Sequence, residues 1–476
     1  MPDLPEDILY FIVTELIHIE RYDGSGRLSK YAGVSRTWNA IIEREIFKDL
    51  YVASDVPPAL SDVGILPQRP ITLSRFKKMM ERDDGRRRSI VSRISIRAHY
   101  LYSLESEEAR SDAGQAVNNE HFSRCIHDMW KVLEDWGTAN RRPLTLDLAA
   151  SSMLPPKIDA RCPQRDKPYL HLAGAPLPQL RGVGSFELDD DPRIWPPSVF
   201  RMVGSMTALT STTFVFDDMM RDDELRQQYR EDLGKSLSLI PPTCTHFEAR
   251  FLSRYCAFDS EEPVVAASKP DILCINLRRH LATHLRDLRL DCLRVSPALF
   301  WPSAFEQQQQ QQQPPPSPPS WPHLEILEVV FEQQDSYGLF HADHTVDELT
   351  NYTTLPARDR MILSLTRSIP RPERGLYQLF AAAGRAVRLG GMPRLERLHM
   401  ELHAIGQDVK FFFGRKDWDV DEEFEIDWKS IPSVEWTDEV LEAWGLAWED
   451  CRVTRSDGNS WDRRNYLKLE ADVPWR

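Results

Sequence analysis

The chain has 476 residues, of which 41 % are hydrophobic and 28 % charged, and its net charge is −14. This composition is ample for a large core and for two or more domains, and its acidity disfavours non-specific nucleic-acid binding. Seven scattered cysteines, no apolar run of about 18 residues and no secretory leader predict a cytosolic or nuclear protein without disulfides or a membrane segment.

The first fifty residues predict three short helices. The first begins at Pro5 and carries apolar side chains almost all round as far as Leu16. A polar loop over residues 17–26 follows, and further helices are expected over 28–34 and 36–45. Three short helices cannot cover the first one completely, so part of its surface is expected to contact another chain or another part of this one.

The same stretch resembles the F-box in its opening Leu-Pro and in the Ile-Leu and Ile of its first helix. The phrase Tyr-Ala-Gly-Val-Ser-Arg-Thr-Trp at residues 31–38 resembles the fungal version. The resemblance covers residues 1–52 and implies a helical module that binds a Skp-type adaptor and, through it, a cullin. It assigns adaptor binding to nine residues: Leu4, Pro5, Ile8, Leu9, Ile12, Leu16, Val34, Ser35 and Trp38. A three-helix cap without an adaptor is the alternative.

Beyond residue 52 the sequence alternates between strand-like and helix-like segments, which predicts an α/β fold. Alternating apolar and polar residues predict strands at 47–52, 90–96, 144–148, 184–188, 213–216, 246–251, 285–290, 324–329, 395–400 and 465–469. Helical spacing predicts helices at 73–82, 122–136, 198–206, 224–239, 272–284, 376–389 and after Thr437. The basic run at residues 86–89 is interpreted as a solvated loop.

Three of these strands carry the pattern Leu-x-x-Leu-x-Leu or one close to it, at residues 285–290, 324–329 and 395–400. The pattern resembles a leucine-rich repeat, in which the strand lies on a concave face and the helix on a convex one. The steps in sequence between these strands are irregular and longer than the about 20–29 residues of a regular repeat. We therefore predict an irregular leucine-rich-repeat-like α/β solenoid over residues 53–476, with an unrelated α/β domain as the alternative.

Two parts of this region depart from the repeat. A run of Gln followed by a Pro-rich segment, at about residues 306–320, cannot bury a core and is predicted to be a disordered insertion. Residues 415–476 are acidic and rich in aromatic side chains.

Motifs for phosphate-binding loops, dinucleotide binding and a nucleophilic serine are absent from the sequence. Three weaker clusters have simpler explanations. The two histidines in residues 341–344 fit a polar turn, Cys125 and His127 point apart on a helix, and the acidic run 189–191 fits a turn before proline. We predict no catalytic, cofactor or metal site, and an enzyme with an unrecognised site stays open as an alternative.

The F-box resemblance implies that the chain is a non-catalytic substrate-recognition subunit of a cullin–RING ubiquitin ligase; a repeat scaffold that engages no ligase is the alternative. The Leu positions of the repeat strands should face the core, so the residues between them should line the concave face and bind a protein substrate. This expected surface, a basic strip beside an acidic one, consists of Arg286, Asp287, Arg289, Glu325, Glu328, Glu396, Arg397 and His399.

Overall fold

The computed structural model is an α/β protein in two compact units, Met1–Ser211 and Thr212–Arg476. The boundary expected at residue 52 lies within the first unit. No helix among the described residues is long and apolar enough to cross a membrane. The structure describes residues 5–22, 28–54, 71–104, 106–136, 143–152, 168–188, 193–217, 220, 222–252, 265, 269–302, 306, 321–331, 336–337, 374–389, 391–404, 407–415, 424–429, 437–445 and 464–468.

The first unit contains a sheet of five parallel strands in the order β2-β1-β3-β4-β5. Parallel neighbours need long crossover connections, and helices supply several of them. The elements are α1 (Glu6–Tyr22), α2 (Arg36–Lys48), β1 (Asp49–Ala53), β2 (Ile71–Thr72), α3 (Leu73–Glu81), β3 (Arg93–Tyr100), α4 (Glu107–Arg110), α5 (Asp112–Glu134), β4 (Leu144–Ser152), β5 (Val183–Leu188) and α6 (Pro196–Gly204).

The second unit begins at strand β6, and its strands follow one another in sequence order from β6 to β13. The strands from β6 to β10 are parallel, and β10 to β13 are antiparallel. The elements are β6 (Ser211–Asp217), α7 (Asp223–Ser236), β7 (His246–Leu252), α8 (Ile272–Asn276), β8 (Asp287–Leu293), β9 (Ile326–Phe331), α9 (Arg374–Leu389), β10 (Arg397–Ala404), β11 (Gln407–Arg415), β12 (Phe424–Lys429), α10 (Asp438–Trp444) and β13 (Arg464–Lys468).

The predicted α/β class is confirmed, and so is the inward direction of the repeat leucines. Six side chains of β8, β9 and β10 are at most 1 % exposed: Leu288, Leu290, Leu327, Val329, Leu398 and Met400. They alternate with residues that are polar except for Ile326 and Val330 of β9, as one buried face of a sheet requires. The expected edge strand near residue 465 is also present, because β13 ends the sheet.

Several expected boundaries were wrong. Helix α1 continues to Tyr22 through the expected start of the loop at residue 17, since no Gly or Pro interrupts the helical spacing there. Between α1 and α2 the chain forms one 3₁₀ turn, Leu28–Tyr31. Helix α5 starts at Asp112, ten residues before its expected start at Phe122, because the Ser111 hydroxyl accepts from Gly114 N–H at 3.1 Å and caps it.

The basic run at residues 86–89 is not a solvated loop, because it belongs to a 3₁₀ helix, Asp83–Ser89, whose arginines are bound. Arg87 Nε donates to Glu43 Oε1 at 2.8 Å, and Arg86 donates to the other carboxylate oxygen. Glu43 is buried on α2. Burial raises its pKa, but the two guanidinium groups outweigh burial and hold the pKa below its ordinary value of 4.5.

We expect Glu43→Gln to destabilise the first unit by about 1.5–3 kcal/mol at neutral pH, as for other hydrogen bonds to charged groups. A carboxylate whose pKa is lower in the folded than in the unfolded chain stabilises the fold at pH values above its ordinary pKa. That stabilisation is lost as the pH falls. The difference in melting temperature between the wild type and the variant should therefore shrink below pH 4.5. Glu81→Gln is the matched control, because Glu81 is 51 % exposed and pairs with Lys77 only at 3.9 Å. An equal loss in both variants, or a difference independent of pH, would contradict the assignment.

Candidate functional site

The N-terminal helices have a small apolar interior. Leu9 and Val13 of α1 pack with Ile41 and Ile42 of α2. Three partly buried side chains pack against this cluster: Tyr31, Ala32 and Trp38. Leu9 is only 8 % exposed, so its side chain supports the fold. The Ser35 hydroxyl accepts from Trp38 N–H at 3.2 Å and caps α2. Three of the expected adaptor-binding residues, Leu9, Ser35 and Trp38, therefore have structural contacts within the chain.

The adjoining side of α1 carries exposed apolar side chains, with the exposed Glu15 among them. Ile8 is 45 %, Phe11 63 % and Ile19 54 % exposed, and Ile12 and Leu16 are half-buried. A helix turns by about 100° per residue, so Ile8, Ile12 and Ile19 lie within a narrow sector and Phe11 lies beside it. We name Ile8, Phe11, Ile12 and Ile19 the α1 ridge.

The remaining expected adaptor-binding residues lie near this ridge in sequence. Pro5 is exposed at the start of α1, where its carbonyl accepts from Leu9 N–H at 3.1 Å. Val34, in the turn before α2, is 62 % exposed. Leu4 lies outside the described residues. Phe11 and Ile19 were not among the expected residues, although a helical wheel of the sequence places them beside Ile8.

The expected substrate-binding residues come together on neighbouring strands. The register sets Asp287 of β8 level with Ile326 of β9 and Arg397 of β10. Two residues further on, Arg289, Glu328 and His399 form a second row. Arg286, Glu325 and Glu396 immediately precede the three strands. We name these eight residues the charged sheet face; most of them are half-buried, and Arg286 and Glu396 are exposed.

The charges of this face are paired across the strands. Arg289 lies 3.0 Å from Asp287 and 3.6 Å from Glu328, and Arg397 lies 3.6 Å from the second oxygen of Glu328. Arg286 lies 3.7 Å from Glu325. The register sets Arg286 and Arg289 beside Glu325 and Glu328, so opposite charges of neighbouring strands lie side by side. Pairs this exposed contribute at most about 1 kcal/mol each, so they can exchange partners with a ligand.

A buried network joins α7 and α8 beneath the surface. Arg230 donates to both carboxylate oxygens of Asp271, at 3.2 and 2.9 Å, and to the Arg294 carbonyl at 2.7 Å. Ser296 Oγ donates to Asp271 at 2.8 Å. Burial raises the pKa of Asp271, but Arg230 and the hydrogen bonds outweigh burial and lower it overall. Because its polar atoms are used internally, this network stabilises the fold.

A second buried ion pair involves Glu306, the residue at which the Gln/Pro insertion was expected to start. Glu306 is 5 % exposed, and both of its carboxylate oxygens accept from Arg278 Nη2 at 2.7 Å. Arg279 donates to it at 2.8 Å. Glu306 thus belongs to the folded unit, and the rest of the insertion, residues 307–320, lies outside the described residues.

The structure offers little support for nucleophilic or metal chemistry in the part it describes. Burial raises the pKa of the Cys244 thiol to about 11 and that of Cys274 further, so both are protonated and weak nucleophiles. Groups of three or more potential metal ligands do not occur in the described ranges. His127 bonds the Ala173 carbonyl at 3.1 Å, while residues 189–191 and 341–344 lie outside those ranges.

Comparison with protein-family models, curated proteins and solved structures finds no match to this chain.

Proposed function

We propose that this chain is the substrate-recognition subunit of a cullin–RING ubiquitin ligase. In this proposal the α1 ridge and Val34 bind a Skp-type adaptor, and the charged sheet face binds a protein substrate. The chain performs no chemistry itself and raises the concentration of its substrate near the conjugating enzyme. The single observation that carries the proposal is the exposure of Ile8, Phe11 and Ile19 on a helix whose other side is already packed.

The exposed side chains favour an apolar partner. Large apolar residues next to one another on a surface indicate a protein-interaction site, whereas isolated ones need no explanation. The F-box-like phrase at residues 31–38 ends at Trp38, which packs on the cluster that supports α1. The sequence resemblance and the exposed ridge therefore point to the same short module.

The charged sheet face favours a folded or extended protein segment as substrate. Its charges alternate in sign over a few ångströms, which suits a partner with a matching pattern and disfavours a uniformly charged polymer. Its arginines are 42–52 % exposed in the ion pairs that they form, and so they are accessible.

The proposal includes an irregular leucine-rich-repeat-like architecture. In each unit, most parallel strands lie beside the next strand of the sequence, as they do when similar units stack one after another. A doubly wound sheet reverses its strand order instead; the parallel strands β6 to β10 of the second unit do not reverse, whereas the order β2-β1-β3-β4-β5 of the first unit reverses at β1. The three antiparallel strands β11, β12 and β13 then end the array.

Affinity purification of the full chain, followed by mass spectrometry, tests the function. We expect the adaptor and a cullin to be recovered together with further proteins that include the substrate. If neither ligase component is recovered while other partners are, the chain is a scaffold outside a ligase.

Reversing two charges of the charged sheet face should separate its two partners. Arg286→Glu with Arg289→Glu places new acids beside Glu325, Asp287 and Glu328, so we expect loss of the substrate and retention of the adaptor. Recovery of each partner is measured by quantitative mass spectrometry after the same purification.

A charge-swapped variant separates recognition from folding. Arg286→Glu with Glu325→Arg restores an opposite pair at the start of β8 and β9 but reverses its direction, and neither residue forms another ion pair with a described residue. We expect this variant to melt near the wild-type temperature and still to lose the substrate. Wild-type recovery of every partner by both variants would show that the charged sheet face does not bind the substrate.

A further inference from the structure

The polar face of the first unit's sheet contains a cation without an acidic partner in the described part of the chain. Strand β3 alternates buried apolar side chains with half-buried polar ones. On the polar side, Arg93 binds Glu187 and lies 3.8 Å from Asp147. Four residues on, Arg97 faces no described carboxylate, and its buried Nε has no hydrogen-bond partner there. A buried donor without an acceptor destabilises a fold, so its presence requires an explanation.

The Tyr51 ring packs against the guanidinium of Arg97. The Cζ atom lies 5.3 Å from the centroid of the Tyr51 ring. Stacking on an aromatic ring fixes the plane of a guanidinium without using its N–H groups. The register sets Ala53 and Ala149 level with Arg97 on the two neighbouring strands. Neither residue level with Arg97 on these strands therefore offers it a hydrogen-bond acceptor from its side chain.

A second polar group lies next along the same side of β3. His99 Nδ1 is 2.8 Å from Ser54 Oγ, and the register sets Ser151 of β4 beside His99. Burial, and then the nearby Arg97, lower the pKa of His99 to about 4. The imidazole is therefore neutral at physiological pH. When the Ser54 hydroxyl donates to Nδ1, Nε2 carries the proton and is a hydrogen-bond donor.

These groups stand toward the carboxyl ends of β1, β3 and β4, the edge at which parallel sheets commonly bind ligands. We infer that Arg97, with His99 and Ser54, forms a binding site for an oxyanion, the phosphate or carboxylate group of a ligand. A guanidinium binds either group through two parallel hydrogen bonds. The site is in the first unit and does not depend on the proposed ligase function.

Titration calorimetry of the full chain with inorganic phosphate and, separately, with succinate tests the site. We expect saturable one-to-one binding of at least one anion. Phosphate alone assigns a phosphate ligand, succinate alone a carboxylate ligand, and both a general oxyanion site. Arg97→Gln should weaken binding by about tenfold or more, and Arg97→Lys should weaken it less, because charge remains while the two-pronged geometry is lost.

Arg93→Gln is the matched control, because Arg93 is on the same strand and face but already has acidic partners. It should bind the anion as the wild type does. Arg97→Gln should also melt at or above the wild-type temperature without anion, since it removes an unsatisfied buried group. A residue that only stabilised the fold would give a lower melting temperature instead.

The His99 imidazole gives a second readout in the unmodified chain. Side-chain NMR titration, assigned with His99→Gln, should show its pKa rising from about 4 when anion is added, because the anion offsets the charge of Arg97. The inference is overturned if neither anion binds, or if binding survives Arg97→Gln while the His99 pKa stays unmoved.

Discussion

Replacing Ile8 and Phe11 together by alanine should weaken adaptor binding by more than about hundredfold and leave the chain folded. Each large apolar side chain buried in an interface contributes about 1.5–3 kcal/mol. Both side chains are largely exposed in the free chain, at 45 % and 63 %, so their truncation removes few internal contacts. The dissociation constant for a purified Skp-type adaptor, measured by calorimetry, gives the result directly.

Two further variants make that result specific. Leu389→Ala truncates an equally exposed apolar side chain, 50 % accessible on α9 of the second unit, and should not change adaptor binding. Leu9→Ala leaves a cavity in the cluster that supports α1 and should lower the melting temperature of the module. Any loss of adaptor binding in this variant would result from unfolding and not from lost interface contacts. The proposal fails if the folded Ile8/Phe11 double variant binds the adaptor as tightly as the wild type.

Replacing Asp271 by alanine should destabilise the second unit by about 3–5 kcal/mol. The carboxylate is fully buried, and its removal leaves Arg230, only 6 % exposed, as a buried cation without its counter-charge. It also removes the cap of α8, where Asp271 accepts from Cys274 N–H at 3.3 Å. Hydrogen exchange should accelerate first in α7 and α8, which the ion pair joins.

The exposed pair Arg385–Glu439 is the matched control for this loss. Its atoms are 3.0 Å apart, about as close as those of the buried pair, but Glu439 is 58 % exposed. Glu439→Ala should cost at most about 1 kcal/mol, because water replaces the lost partner. Comparable losses of unfolding free energy in the two variants would mean that burial does not set the importance of Asp271.

The sequence predicts the core of the second unit well because the information is local. A strand's side chains alternate with period two, so Leu288, Leu327 and Leu398 can be assigned to the buried face without knowing which strands are neighbours. The strands β11 and β12 were not predicted, and β12 lies within residues 415–476, which were described only as acidic and aromatic. Their antiparallel pairing depends on contacts that a single segment does not reveal.

Register is what the sequence could not provide for the candidate surfaces. The residues of the charged sheet face can be chosen from the strand pattern, but only the pairing of β8, β9 and β10 sets Arg289 beside Glu328. The contacts of Glu43 with Arg86 and Arg87 likewise join segments more than forty residues apart. The α1 ridge is different, since a wheel of residues 8–19 alone would have included Phe11.

Helix α2 passes into β1 without a connecting residue, from Lys48 to Asp49, and the Lys48 carbonyl accepts from Ser92 N–H at 2.8 Å. A helix advances by about 100° per residue and a strand by about 180°. One residue inserted at this junction would either swing the N-terminal helices by roughly a quarter turn or invert β1, moving Leu50 and Val52 to its polar face. The orientation of these helices relative to the sheet can therefore change only in steps of whole residues.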